Sequence, residues 1–391
     1  MNGTTTYAAP PSVTRLQSRA LLIGLLGLAL CAYGAITNPA QFFRSYLIGY
    51  LLALGLALGC LGVVMMQHLT GGHWAVVIRR PLESATRTLP LLFVLFLPLL
   101  AGMKQVYAWA LPGAPRASRF QAHWFTPTAF VARYVIYFAI WLLLMALLNR
   151  WSGQQDKDTS PAIPRKLRLV SGPGIVIYVM TMTFAAVDWV MSLNTHFAST
   201  IFGFLLVGGQ VLSAMSLMIA VSVLLARSEP MSRVIQPRHL HSLGKLLFAF
   251  LMLWAYFAFS QLLIVWSGNL PSEISFYTKR LQTSWLPVGV LLLLVQFFLP
   301  FFLLLSRDVK RSARWMPWLA ILVILMRLVD LYWLTAPEYS PRGFHVTWLD
   351  LAAPVGVGGL WLSYFAWQLK GRPLLPLGDP ELKAAIAHRE H

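Results

Sequence analysis

Long runs of apolar residues, separated by short polar stretches, cover most of this 391-residue chain. A helix needs about 20 consecutive apolar residues to cross the hydrocarbon core of a bilayer. Lipid offers no partner for free backbone groups, and the runs are too long for barrel strands, so helices are the predicted form. The pattern predicts ten transmembrane helices, near 19–37, 45–68, 88–108, 128–149, 172–193, 199–226, 243–267, 285–306, 315–335 and 347–369.

The segments between these runs are short and leave no room for a soluble catalytic domain. We predict a cytoplasmic N-terminal segment at 1–18, a ten-helix membrane domain at 19–369 and a polar, loosely ordered cytoplasmic tail at 370–391. The first run is predicted to stay as an anchor, because Leu30 stands where a lipoprotein cleavage site needs a small residue. Segment 70–87 mixes apolar and basic residues and is predicted to lie in the membrane interface as a short amphipathic helix.

Prolines are expected to distort two of the predicted spans. Pro90 and Pro98 are expected to kink the third predicted span, and Pro287 and Pro300 to flank or bend the eighth.

The composition agrees with a membrane protein. Apolar residues make up 58% of the chain and charged residues only 11%, and the mean hydropathy is +0.65. A soluble protein carries charge on roughly a quarter of its residues, so this chain must expose apolar side chains to lipid. Cys31 and Cys60 lie inside apolar runs and form no iron–sulfur or c-type haem motif. The sequence also lacks a nucleotide-binding loop, a nucleophile elbow and an HExxH motif.

The net charge of +18 does not indicate nucleic-acid binding, because the basic residues lie in the connecting segments. Ten spans place both termini on one side of the membrane. That side carries 22 Lys and Arg residues against 8 on the other, and Arg327 lies within a span. The more basic side of a membrane protein is the cytoplasmic one. Both termini are therefore predicted to be cytoplasmic, with no nucleic-acid partner.

A few polar side chains fall within or beside the predicted spans, where a charge is costly unless it is paired or hydrated. Asp188 lies in the outer half of the fifth span. Arg327 and Asp330 lie three residues apart on one face of the ninth and are predicted to pair. The other candidates are Lys104, Arg133 and His196 towards the outer side, His68, Glu83 and Arg87 towards the inner side, and the neutral Gln210, Ser213, Ser216, Ser260, Gln261 and Gln296 between them.

These residues permit two interpretations. In the first they form a proton route, in which Asp188, Asp330 and His196 exchange protons with the outer side. His68 and Glu83 then exchange protons with the inner side, and the hydroxyl and amide groups hold connecting water. In the second they are structural: the pair in the ninth span joins helices, and the inner candidates are solvated at the interface. A neutralised Arg–Asp pair is a poor proton carrier, which favours the structural role for the pair. The absence of a basic residue one turn from Asp188 on its own span favours a functional role for that carboxylate.

Nothing in the sequence indicates a redox centre within the chain. A b-type haem needs two histidines on facing helices, and no histidine lies in the middle of a predicted span. No cysteine and histidine cluster suggests a metal site. Five aromatic residues could stack on a quinone ring, although the aromatic belts at both membrane interfaces explain them better. They are Trp254, Tyr256, Trp266, Tyr332 and Trp333.

Five segments of the sequence are similar to one known family. They are 45–74, 79–100, 188–203 (DWVMSLNTHFASTIFG), 257–277 (FAFSQLLIVWSGNLPSEISFY) and 327–339 (RLVDLYWLTAPEY). Together they resemble the ActF-type subunit of bacterial alternative complex III, a quinol oxidoreductase that passes electrons to cytochrome c or another acceptor. The similarity extends over nearly all ten spans, and 188–203 and 257–277 are its most specific segments.

The resemblance implies the NrfD-like fold of polysulfide-reductase membrane subunits, with two four-helix bundles flanked by two more helices. It implies a subunit of the bacterial cytoplasmic membrane with no cofactor of its own. Its expected partners are a similar ten-helix quinol-binding subunit and iron–sulfur and multihaem cytochrome c subunits, in a respiratory or photosynthetic chain. The family's polar positions match Asp188, His196, Arg327 and Asp330.

The role that the resemblance favours is a contribution to proton translocation and to assembly. Two other roles stay open, a purely structural scaffold and a secondary transporter. No pair of Gly/Pro-interrupted spans in corresponding positions supports the transporter. Binding of a quinone by this chain also stays open.

Overall fold

The computed structural model describes residues 7–72, 74–114, 119–158, 160–341 and 343–382, which are mainly α-helical and contain no strand. We number the α-helices in chain order. They are α1 (Pro11–Thr37), α2 (Pro39–Thr70), α3 (Arg79–Thr86), α4 (Leu89–Leu95), α5 (Leu97–Ala101), α6 (Met103–Val106), α7 (Arg119–Trp124), α8 (Pro127–Gln155), α9 (Ala162–Trp189), α10 (Phe202–Ala226), α11 (Pro237–Gly268), α12 (Pro271–Leu281), α13 (Leu286–Leu291), α14 (Leu299–Leu305), α15 (Arg307–Arg311), α16 (Trp315–Tyr339) and α17 (Leu349–Lys370).

Ten helical stretches of the described residues are long and apolar enough to cross a membrane. Eight of them are built on the single helices α1, α2, α8, α9, α10, α11, α16 and α17. The third runs through α3, α4 and α5, and the eighth runs from α13 to α14. The prediction of an all-α membrane protein with about ten spans is therefore confirmed.

Capping residues set several of the helix boundaries. Asn38 separates α1 from α2, and its side chain accepts a hydrogen bond from the Gln41 backbone N–H. Pro39 then occupies the first turn of α2, where its missing N–H has no consequence. Thr126 and Pro127 start α8 in the same way.

Helices α2 and α10 lie side by side at the centre of the bundle. Their membrane-spanning windows are 94% and 83% buried, against 22% for α11 and 28% for α1. Helix α2 also packs against α9 and α16, and α10 packs against the same two helices. This four-helix centre brings the polar residues of both halves of the chain together.

Helices α1 and α17 pack antiparallel through glycines. A Cβ atom on Gly27 would lie 2.6 Å from the backbone nitrogen of Gly356, so only glycine permits this approach. The backbone N–H of Leu374, just beyond α17, donates to the carbonyl of Tyr7 at 2.8 Å. Both ends of the described chain therefore lie on one face of the bundle, which we call the terminal face; the opposite one is the distal face.

The third and eighth spans, where proline is expected to kink or bend the helix, are less regular than a single helix. The third breaks between α4 and α5 before Pro98. In the eighth, a π-helical segment at Leu292–Phe298 precedes Pro300. Proline lacks an N–H and its ring clashes with the carbonyl four residues earlier, and the wider π turn relieves this clash.

Two predictions for the terminal face are wrong. Helix α3 does not lie in the interface, because all eight of its residues are buried. The tail is not loosely ordered over 371–382, since Leu374 and Leu375 are fully buried against the bundle. The physical reason is that other parts of the bundle pair the charges of α3 and cover the leucines of the tail. The predicted tail beyond residue 382 lies outside the described residues.

Candidate functional site

Helix α3 brings buried charges to the terminal face. Arg79, Arg80 and Glu83 are each 2% exposed. Glu83 accepts from Nε of Arg79 at 3.2 Å and from Nη1 of Arg80 at 2.6 Å. Arg79 also pairs with Asp379 of the tail, and Arg80 with Asp156 at the end of α8. We call these five residues the terminal cluster.

Neutral groups of α8 complete the terminal cluster. The hydroxyl of Ser152 donates to Glu83 and accepts from both arginines at 3.1 Å. Oε1 of Gln155 accepts from Arg79 at 2.7 Å. Buried ions are tolerated only when their remaining hydrogen bonds are made, and this network explains why α3 lies inside the bundle.

His68 lies next to the terminal cluster at the end of α2. It is 8% exposed, and the charges of Arg79 and Glu83 act on its imidazole. Its Nε2 atom has no hydrogen-bond partner among the described residues. The expectation that His68 and Glu83 are solvated at an interface is therefore wrong, because both are buried.

Asp379→Asn should release the tail from α3, because it removes the counter-charge of Arg79 on that side. We expect faster proteolysis within 371–382 and a loss of stability of about 3 kcal/mol, the lower end for breaking a buried pair. Glu229→Gln is the matched control, since Glu229 pairs with Arg233 on an exposed surface and should contribute little. Equal proteolysis of both variants would show that Asp379 does not hold the tail.

The centre of the bundle holds one ion pair, which we call the central pair. Arg327 donates to Asp330 midway along α16, as the spacing of three residues predicts, and both are 3% exposed. The guanidinium also rests on the backbone of α10. Its Nη2 atom lies 3.5 Å from the carbonyl oxygen of Leu206, and a Cβ on Gly209 would lie 2.2 Å from its Cζ. The central pair thus joins α16 to α10.

Two polar side chains approach Asp330 from other helices. Trp254 of α11 and Gln296 of the π-helical segment lie close enough to act on its carboxylate. The indole nitrogen of Trp254 and both side-chain polar atoms of Gln296 nevertheless have no hydrogen-bond partner among the described residues. A π-helical turn often marks a functional position, and here it is the segment that carries Gln296.

A small cavity lies on the other side of the central pair. It has a volume of about 10 Å³ and is lined by Arg327, Gln210 and Ser213 together with apolar residues. This is close to the space that one water molecule requires. Oε1 of Gln210 accepts from the hydroxyl of Tyr178 at 2.7 Å, so polar groups of three helices meet there.

Asp188 lies fully buried at the distal end of α9 and accepts four hydrogen bonds. Arg133 of α8 donates two of them, each at 2.8 Å, and Trp124 and Tyr137 donate at 2.9 and 2.8 Å. No basic residue lies one turn from Asp188 on α9, but in the folded protein Arg133 of α8 pairs with its carboxylate. The argument for function from an unpaired Asp188 is therefore wrong.

Sequence reasoning missed a second distal site, formed by Arg280 of α12 and Glu338 of α16, which we call the distal clasp. The guanidinium donates to Glu338 at 2.9 Å and to the carbonyls of Trp333 and Leu334 at 3.0 and 2.8 Å. Pro337 has no N–H to offer the Trp333 carbonyl, and Arg280 takes that place. The sequence signal for this site is Pro337 followed by Glu338 within an apolar run.

Electrostatics keep Arg280 charged despite its burial. Loss of solvent lowers the pKa of Arg280 to about 10, and Glu338 opposes this change. At neutral pH the guanidinium therefore remains protonated and able to hold Glu338.

The remaining predicted candidates lie apart from these sites. His196 and Lys104 are exposed on the distal face. Arg87 donates to Asn149 at 3.0 Å near the terminal cluster. The neutral candidates not yet placed are buried or half-buried in α10 and α11: Ser216, Ser260 and Gln261.

The aromatic residues considered for a quinone ring separate into different environments. Tyr256 and Trp266 are 62% and 66% exposed on the outside of the bundle, as expected of residues that face lipid. Tyr332 and Phe344 line an apolar cavity of about 230 Å³ between α13, α16 and α17, with Asp350 at its edge.

The fold and these sites define an all-helical, multi-pass membrane protein with ion pairs buried at its centre and near both faces. A scan against protein-family models gives no match, and a search of curated proteins gives no significant match. The resemblance to the ActF-type subunit thus rests on the sequence segments alone. Among the described residues, no group of three or more His, Cys, Asp or Glu side chains could hold a metal ion.

Proposed function

We propose that this chain is a membrane subunit of a quinol:electron-acceptor oxidoreductase of the alternative complex III type, with an NrfD-like fold. Its role is to conduct protons and to hold the complex together in a bacterial cytoplasmic membrane, while quinol is oxidised in a partner subunit. The sequence segments support the family. The observation that carries the proton role is the central pair, with polar side chains on one side and a water-sized cavity on the other.

Proton transfer through the centre needs a carboxylate that alternates between its ionised and protonated forms. Asp330 supplies the carboxylate. When it is ionised, Arg327 holds it; when it is protonated, the guanidinium keeps the backbone of α10 as an acceptor through Leu206. Trp254 and Gln296 approach the same carboxylate from two other elements. Protonation leaves the guanidinium without a counter-charge, so the protonated state of Asp330 has the higher free energy of the two.

Buried polar residues of α10 continue from the central pair towards the terminal face. Gln210, Ser213, Ser216 and Ser222 are all at most 5% exposed. At about 1.5 Å per residue they extend roughly 18 Å along the helix. His68 and Glu83 are the candidate groups at the terminal end. Asp188, fixed by four donors, is assigned to joining α8 and α9 rather than to carrying protons.

Asp330→Asn in the native complex tests the proton role. In vesicles with a quinol donor, we expect turnover to be largely retained and the ratio of protons released to electrons transferred to fall, because Asn cannot carry a proton. Asp308→Asn, at an exposed carboxylate of α15, should leave the ratio unchanged. If Asp330→Asn impairs assembly, the double variant Arg327→Gln/Asp330→Asn keeps the shape of the pair without its charges.

The scaffold alternative makes the opposite prediction from the same variants. An unchanged ratio of protons to electrons in both the single and the double variant would remove Asp330 from the mechanism. Loss of the complex on deletion of the chain would then leave assembly as its role.

A further inference from the structure

A cluster of basic side chains lies on the terminal face where α15 packs against the start of α11. Arg307, Lys310 and Arg311 are spaced three and four residues apart on α15 and so share a face. His241 and Lys245 are one turn apart on α11. The charges of all four cations act on the imidazole of His241. We call these five residues the basic patch.

No carboxylate neutralises the basic patch within the described part of the chain. None of its members takes part in a salt bridge there. The acidic residue of α15, Asp308, is exposed and forms no salt bridge with another described residue. Like charges at these spacings repel one another. A bound anion would lower this repulsion.

The patch is built into the fold. A Cβ on Gly244 of α11 would lie 2.9 Å from Cγ of Lys310, so the stem of Lys310 lies directly against the helix backbone. The apolar stem is covered in this way and the ammonium is held at the edge of the bundle.

The surroundings of the patch are those of a lipid interface. Trp315 and Trp318, at the start of α16, are 58% and 68% exposed, and tryptophan is typical of headgroup depth. The outward side chains of α11 and α14, further from the terminal face, are apolar and exposed: Met252, Leu253, Phe302 and Leu305. A cationic group of residues thus stands above an apolar surface, which fits an amphiphilic anion better than a soluble one.

We propose that the basic patch binds the phosphate of an anionic phospholipid whose acyl chains lie along α11 and α14. The bound phosphate offsets the repulsion within the patch and holds α15 against α11. This site is independent of the proton role, because it lies outside the central pair and the terminal cluster.

Spin-labelled lipids test the proposal on the purified complex in phosphatidylcholine vesicles. We expect spin-labelled phosphatidylglycerol to associate about tenfold more strongly than spin-labelled phosphatidylcholine, and the preference to fall to about twofold in Arg307→Gln/Lys310→Gln/Arg311→Gln. The matched control is Arg165→Gln/Lys166→Gln/Arg168→Gln, which removes three exposed charges from the same face at α9 and should keep the preference.

Three results would overturn the proposal that the basic patch binds an anionic phospholipid. Equal loss in both triple variants would indicate a general surface potential. The absence of any preference in the unmodified protein would exclude an anionic-lipid site. Displacement of the labelled lipid by inorganic phosphate alone would show that the patch binds a free ion.

Discussion

Asp330→Leu is expected to destabilise the protein by about 3–5 kcal/mol, because it leaves Arg327 as an unpaired charge at the centre of the bundle. Arginine cannot escape this situation by releasing its proton. Arg327→Met should cost less, since a lone carboxylate can take up a proton. The double variant Arg327→Met/Asp330→Leu should return close to the original stability, because a buried pair contributes little over apolar residues of similar size. Thermal unfolding in detergent measures all three variants.

Gly209→Ala is a milder test of the same contact. Its Cβ would meet the guanidinium of Arg327, whereas Gly358→Ala places a methyl group where no atom lies within 4 Å. Only the first should lower the melting temperature. A double variant Arg327→Met/Asp330→Leu as unstable as Asp330→Leu would mean that the central pair itself supplies much of the stability of the bundle. A stable double variant that no longer couples protons to electrons would instead separate the scaffold from the proton role.

Arg280→Met should cost about 3 kcal/mol, the lower end for breaking a buried pair, because it removes the buried partner of Glu338 and the donor to the Trp333 carbonyl. Glu338 is 3% exposed and would keep only Lys279 as a partner. Lys279→Met is the matched control. Lys279 pairs with the same carboxylate at 2.7 Å but is 33% exposed, so its loss should cost less than about 1 kcal/mol.

The role of Pro337 in the distal clasp can be tested by a double-mutant cycle. Pro337→Ala restores an N–H that can bond to the carbonyl of Trp333 within α16. Arg280→Met should therefore cost less in the Pro337→Ala background than in the unmodified chain. Additive effects of the two substitutions on the melting temperature would show that Arg280 does not replace the missing backbone bond.

Local patterns in the chain were sufficient to predict the number and type of membrane-spanning helices. They were also sufficient for the central pair, because Arg327 and Asp330 lie on one helix and a spacing of three residues places them on the same face. The Asn–Pro and Thr–Pro helix starts at Asn38 and Thr126 are signals of the same local kind.

Contacts between distant parts of the chain were not predictable in this way. Asp188 is paired by Arg133, which lies 55 residues earlier, and Arg79 by Asp379, 300 residues later. The burial of α3 was missed for the same reason: its two arginines and its glutamate suggest an exposed helix until Ser152, Asp156 and the tail are placed around them.

The order of apolar and polar residues alone determined that this protein is an all-helical, multi-pass membrane protein, because a bilayer accepts few other arrangements of the backbone. Tertiary structure alone decided which charges are paired between distant parts of the chain. Such pairing depends on which helices are neighbours and on which faces they turn to each other, and these depend on close contacts such as that of Gly27 in α1 with Gly356 in α17.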